Sequence, residues 1–227
     1  GLLAGAAALS AGAARGDVAP PIPHAPSQDY EPKPLPFDPK AIPGLSEKLL
    51  LSHHDNNYVG AVKRLNAITA DFAKLDVRAA PIYQINGLKR EELIAMNSMI
   101  LHELYFTCLG GPAGATPKHK LADALVRDFG SLDRWRAEFT AMGRALSGGS
   151  GWVVLSYSAH NKRLINQWTN DHTQSLAGGR PILVLDMFEH AYQMDYGAKA
   201  GAYIDAYMAQ IHWDNAGKRF EAARKEG

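Results

Sequence analysis

Residues Pro181–Gly197 read PILVLDMFEHAYQMDYG. The short apolar run Ile182–Leu185 reads as a strand. From Glu189 onward the pattern turns helical. Asp186 therefore stands at a strand end, and His190 follows four residues later as a D-x-x-x-H pair. Taken alone, the pair fits a buried aspartate that hydrogen-bonds a histidine better than it fits a metal site.

Upstream, WVVLSYS (152–158) and RLINQWT (163–169) read as two further strands joined by the turn AHNK. SGGSG (147–151) breaks the pattern before them. Residues 116–146 predict two helices separated by Gly130-Ser131, with Ser131 as N-cap of the second. A longer helix is predicted over Lys89–Leu109, stopped by Gly110-Gly111-Pro112. VRAAPIYQINGL (77–88) reads as a loop. Before it, apolar residues at three and four spacing predict a helix after Ser46, a plausible cap. The predicted fold class is α+β: an N-terminal helical hairpin, then a C-terminal lobe with a three-stranded antiparallel sheet flanked by helices. The expected domains are an N-terminal leader remnant and Pro-rich arm (1–27), a helical hairpin domain (28–116) and a C-terminal α/β metal-binding domain (117–227).

Composition narrows the function classes. The 227 residues are 46% hydrophobic and 21% charged, ordinary for a globular protein that folds unaided. A formal net charge of +1 gives no global field for nucleic acid. No run of 18 apolar residues suggests a membrane span. The single cysteine, Cys108, reads as a packed thiol. Nine prolines between residues 17 and 44 predict an extended arm. GLLAGAAALSAGAARG (1–16) resembles the end of a secretory apolar region with its small-residue cleavage zone, so export to a bacterial periplasm is expected.

Four stretches, in order, resemble the iron/manganese superoxide dismutases. LHELYF (101–106) resembles their second-helix histidine followed by aromatics. GSGWVVL (149–155) resembles their glycine-framed Trp strand. DMFEHAYQMDYG (186–197) resembles their signature D-x-W-E-H-A-Y, and HWDNAGKRF (212–220) their closing segment. The likeness runs from about Leu35 to Phe220. It implies a mononuclear iron or manganese ion, one per chain, that disproportionates superoxide to dioxygen and hydrogen peroxide. It implies as ligands His102, Asp186, His190 and one first-helix histidine, donors suited to an ion that cycles between +2 and +3. It also implies a homodimer or a tetramer.

SHHDNNYVGAVKRLN (52–66) supplies the first ligand, and it can be laid on the family's first-helix motif in two registers. Matching Tyr58 to the motif tyrosine puts Leu50 at the ligand position. Matching Leu65-Asn66 to the motif's L-N puts His53 there, and also aligns His54 and Val62. The second register keeps a complete site, so His53 is expected as the ligand and His54 as its neighbour. This register places Asn57 where the family has histidine and Ala61 where it has a gateway tyrosine. The family's tyrosine three residues after the last ligand is Gln193 here, so an Asn57–Gln193 amide pair across the dimer is a hypothesis. The resemblance further implies His172 as the outer-sphere hydrogen-bond partner of metal-bound solvent, and Glu189 as the bridge to the partner's last histidine ligand. Phe106, Trp152 and Phe188 would line the pocket, Phe188 replacing the usual Trp, with Tyr58 offering a hydroxyl from one side. The altered gate leaves a second possibility, a metal-binding family member with little dismutase activity.

Overall fold

A computed structural model describes residue 26 and residues 29–225. The leader-like stretch and the first part of the arm lie outside the described residues. From Asp29 the arm runs extended over the helical hairpin, interrupted by one 3-10 turn at Pro39–Ala41. It is tied down by backbone groups that find side-chain partners. Tyr30 N donates to Asn66 Oδ1 at 2.8 Å, and Asn66 Nδ2 returns a bond to Tyr30 O at 2.9 Å.

The first helical rod has three parts: α1 (Glu47–Ser52), a π-helical turn (His53–Tyr58) and α2 (Val59–Lys74). Ser46 caps it as expected, its Oγ accepting from Leu49 N at 3.1 Å. Ser46 is also held by Asp195, through N and Oγ at 2.7 Å each. In the π turn the bonding lengthens, and Val59 N reaches His54 O. Such turns insert one extra residue into a helix and cluster at functional sites. The sequence pattern gave no sign of it.

Helix α3 (Ile82–Cys108) packs on α2 and starts earlier than the sequence suggests. The stretch from Ile82 to Leu88 is helix, not loop. Asn86-Gly87 looks like a breaker, but one glycine in a helix costs only about 1 kcal/mol. Pro81 stands at the N-cap, with ψ 138° outside the helical range, and marks where the helix begins. The end of α3 is stitched to the C-terminal lobe. His212 N donates to Cys108 O at 2.7 Å, and Gly111 N donates to Gln210 O at 3.0 Å. Only glycine fits at 111, because a Cβ there would lie 2.1 Å from Ile211 O.

Helices α4 (His119–Phe129) and α5 (Leu132–Ala145) follow, with Ser131 Oγ accepting from Arg134 N at 3.0 Å as the predicted cap. The sheet comprises β1 (Trp152–Ser158), β2 (Arg163–Thr169) and β3 (Gly179–Asp186), all antiparallel, in the order β2-β1-β3. All seven residues of β1 are buried, as a central strand covered on both faces requires. Each large apolar side chain so buried contributes about 1.5–3 kcal/mol. After β3 come a 3-10 turn (Glu189–Ala191), α6 (Gln193–Tyr196), α7 (Ala200–Ala209) and α8 (Trp213–Lys225). Helices α3 and α8 cover β3, while α5 packs on β1 and β2. One continuous apolar cluster runs through both lobes, so the hairpin and the sheet are held in fixed relation. The α+β architecture is the one read from the sequence.

Candidate metal centre

Four side chains far apart in sequence meet where α3 crosses the end of β3. His53 comes from the π turn, His102 from α3, Asp186 from the last position of β3, and His190 from the 3-10 turn behind it. Their ligand atoms all lie within 4.8 Å of one another. Three Nε2 atoms converge on one carboxylate oxygen. Asp186 Oδ2 is 3.0 Å from His53, 3.2 Å from His190 and 3.6 Å from His102. His53, His102 and Asp186 are buried, and the His190 side chain keeps 26% of its surface.

The surroundings fix the protonation that metal binding needs. Burial holds His53 below the usual histidine range, and it pushes His102 down to about 3, with the neighbouring His53 adding to the effect. Burial alone would raise Asp186, but His190 and His53 outweigh it and hold the carboxyl far below the usual range. Neutral imidazoles beside an ionised carboxylate are the donor forms a metal ion takes. His102 Nδ1 donates to Ser98 O at 2.6 Å, which fixes the tautomer and aims Nε2 at the centre. Asp186 is pinned from two sides: its Oδ1 accepts from Phe188 N at 2.8 Å, and its carbonyl accepts from Tyr203 Oη at 2.7 Å.

The adjacent histidine faces the other way. His54 contacts Asp55 Oδ1 through Nδ1 at 2.7 Å and Lys33 O through Nε2 at 2.8 Å. It belongs to the contact between rod and arm, and His53 alone of the pair joins the cluster.

Aromatic rings wall the centre. Phe106 lies 5.1 Å from the His53 ring, Trp152 5.2 Å from His102, and Phe188 5.4 Å from His190. Trp152 is placed by the sheet, whose register sets it opposite Asp186. His172 stacks on Phe188 at 4.7 Å and stands 5.6 Å from Trp152 and 6.4 Å from His102. Its pKa is lowered, first by burial, so the ring is neutral. Its Nε2 is buried with no hydrogen-bond partner among the described residues. A buried nitrogen left unpaired beside four converging donors is the mark of a site that takes a further ligand.

Other expected residues sit differently. Tyr58 is buried, but its hydroxyl accepts from Lys33 N at 2.8 Å and donates to Glu103 Oε1 at 3.0 Å. Burial and Glu103 push its pKa up to about 12 despite the Lys33 bond. The arm and Glu103 thus already engage the Tyr58 hydroxyl, which the sequence reading had offered to the pocket. Asn57 is half-buried and Ala61 buried, and the Asn57 amide has no partner among the described residues. Glu189 and Gln193 are exposed beside His190, also without side-chain partners there. The sequence reading missed Tyr105, whose ring lies 5.0 Å from His53 and whose hydroxyl pairs with that of Tyr203 at 3.2 Å. Its place three residues after His102, on one helix face, was the available signal.

Comparison with known proteins agrees with this geometry. Residues 117–219 match the family model for iron/manganese superoxide dismutases, C-terminal domain. An iron superoxide dismutase of Cupriavidus metallidurans is 61% identical over 197 residues, which cover 87% of this chain and 99% of that protein. A manganese superoxide dismutase of Halobacterium salinarum is 36% identical over 86% of this chain and 96% of its own length. An iron superoxide dismutase of Aquifex aeolicus is 32% identical over 82% and 89%. Four converging donors, with His53 and His102 kept neutral by burial beside the ionised Asp186, and near-full-length likeness to these enzymes lead to one conclusion: the chain belongs to the iron/manganese superoxide dismutase family.

Proposed function

We propose a division of labour among the residues of this superoxide dismutase, which converts two superoxide ions and two protons to dioxygen and hydrogen peroxide. The observation that carries it is the convergence of His53, His102, His190 and Asp186. These four hold one iron or manganese ion, which when bound supplies the one-electron couple between +3 and +2. Their own work is orientation. Ser98 O locks His102, Tyr203 and the Phe188 amide lock Asp186, and Tyr105 packs behind His53. Phe106, Trp152 and Phe188 keep bulk water out, which strengthens every charge interaction inside.

His172 is the residue we assign to the proton side. Its neutral ring and unpaired Nε2 can exchange a hydrogen bond with a small oxygen species in the pocket. Such outer groups tune both acidity and redox potential. We assign iron as the resident metal, supported by the 61% identity to the iron superoxide dismutase of Cupriavidus metallidurans. A homodimer is the proposed assembly. Glu189 and Gln193 are exposed beside the partly open face of His190, where a second copy would bring its own Glu189 to the last ligand and pair Gln193 with Asn57. The leader-like sequence of residues 1–16 supports export to a periplasm, testable by fractionating cells and sequencing the mature N-terminus.

The deciding experiment is metal content by mass spectrometry, with superoxide turnover on the same sample, for the wild type and His53→Ala. About one iron per chain with fast turnover, both lost in the variant, is expected. A loaded metal with negligible turnover would favour the second reading, in which Asn57, Ala61 and the diverted Tyr58 hydroxyl have changed the job.

A further inference from the structure

Two of the four ligands are pinned by hydrogen bonds of their own. His102 is locked through Nδ1 by Ser98 O, and the Asp186 carboxylate is held by the Phe188 amide. The other two are held differently. A metal-ligating histidine normally has its second ring nitrogen fixed by a neighbour. His53 Nδ1 is instead buried with no partner among the described residues. His190 is the most open of the four, with 26% of its side chain exposed. It sits in a three-residue 3-10 turn followed by the four-residue α6. Helical pieces this short have little stability of their own. Within the chain, the placement of His53 and His190 must come from the backbone that carries them. The far ends of those two segments are bonded to each other. Asp195, five residues after His190, grips Ser46 with both carboxylate oxygens. Its Oδ2 accepts from Ser46 N and its Oδ1 from Ser46 Oγ, at 2.7 Å each. Beside it, Tyr196 Oη donates to Gly44 O. Gly44 permits this approach, for its φ is +84° and a Cβ there would lie 2.9 Å from Ala206 Cβ. Ser46 is the N-cap of α1 and stands seven residues before His53, on the same face. The chain therefore forms a closed frame. It runs from Ser46 through α1 to His53, whose ring lies 4.8 Å from that of His190, then through α6 to Asp195 and back to Ser46. Inside the frame the 3-10 turn touches both α1 and the π turn.

We propose that Asp195 is a positioning residue for the metal centre: by clasping Ser46 it holds the His190 turn against the first rod and so sets the separation of His190 and His53 around the ion. The clasp itself touches neither the ion nor superoxide. Its loss frees the turn to move away from the rod. The ion is then released faster and its surroundings change shape, beyond what an equal loss of stability elsewhere in the molecule produces.

The inference rests on the four-ligand site, and the test separates it from the dismutase reading. Iron-loaded wild type, Asp195→Ala, Asp195→Asn and Ser46→Ala are compared with Ser131→Ala, which removes the cap of α5 and no bond to a ligand-bearing segment. Three quantities are read: the rate at which excess chelator strips the iron, the rhombicity of the ferric electron paramagnetic resonance spectrum, and the melting temperature. Expected for Asp195→Ala is iron release about 10-fold faster, with a shifted spectrum. Asp195→Asn still offers one carbonyl oxygen to Ser46 and recovers part of both effects. Ser46→Ala keeps the backbone bond and falls between wild type and Asp195→Ala. Ser131→Ala lowers the melting temperature and leaves release and spectrum at wild-type values. Unchanged release and spectrum in Asp195→Ala would overturn the proposal. So would changes that Ser131→Ala reproduces, which would mark plain destabilisation. If Asp195→Ala yields no soluble protein, Asp195→Asn and Ser46→Ala decide by the same readouts. A wild type that binds iron without turning over superoxide sinks the activity reading and leaves this test intact. A wild type that takes up neither iron nor manganese removes the site, and the positioning role with it.

Discussion

His53 and His54 are neighbours in sequence and part company in the fold. One ring enters a buried cluster of donors and the other bonds the arm backbone. His53→Ala should therefore lose the metal, while His54→Ala should keep about one ion per chain and give up only the arm contact, measured by metal analysis and melting. His172 is the second residue whose role is argued from an unmet bond. Replacing it with Ala removes the unpaired nitrogen without touching a ligand. Turnover should fall about 10- to 100-fold with metal retained. His172→Gln, which can still donate, should recover part of that loss. Equal turnover in all three proteins would remove His172 from the proton side. Of the residue-scale expectations, His102, Asp186 and His190 were legible because the motifs shared with the family record them, while His53 rested on a choice between two registers. The fate of the Tyr58 hydroxyl was not, because its partners Lys33 and Glu103 lie 25 and 45 residues away in sequence.

At the scale of elements, local chemistry was readable wherever it acts over a few residues. Ser46 and Ser131 cap the helices they were expected to cap, and AHNK turns the strand pair as read. Ser46→Ala removes the cap and the Oγ bond to Asp195 while keeping the backbone N bond, so a loss of about 1–2 kcal/mol in denaturant unfolding is expected. Gly151 is a harder constraint. Its φ of +141° lies outside the range of other residues, and a Cβ there would sit 2.0 Å from Thr169 O. Gly151→Ala should cost about 4 kcal/mol or yield no soluble protein, since it displaces the start of β1 and with it Trp152. The π turn and the early start of α3 escaped the sequence reading for related reasons. The inserted residue stretches the buried spacing to five, from His53 to Tyr58, but those two polar-tipped rings do not read as an apolar stripe, and a glycine's modest local cost is overridden when the helix packs on a neighbour.

At the scale of the whole molecule, one apolar cluster joins hairpin and sheet, so the buried site and the fold's stability are linked. His53 and His102 have pKa values lowered by burial, so the unfolded chain binds protons that the folded chain refuses below pH 6.5. Asp186, held low by its histidines, adds stability above the ordinary carboxylate range that is lost as pH falls through it. Both act in one direction. The metal-free protein should lose stability on acidification from pH 6.5 toward about 3, on the order of a few kcal/mol in total, as followed by chemical denaturation at a series of pH values. Flat stability over that window would contradict the buried neutral state of the cluster. By itself the sequence determined the α+β order of elements, the caps and turns, and, through the family resemblance, His102, Asp186 and His190 as ligands, because each is written in periodicity or a short motif. The tertiary structure decided which adjacent histidine turns inward, where the Tyr58 hydroxyl is spent, and that Tyr105 and Tyr203 brace the site. Those outcomes depend on which surfaces pack together, and packing brings together residues as far apart as His53 and Asp186, 133 positions from each other.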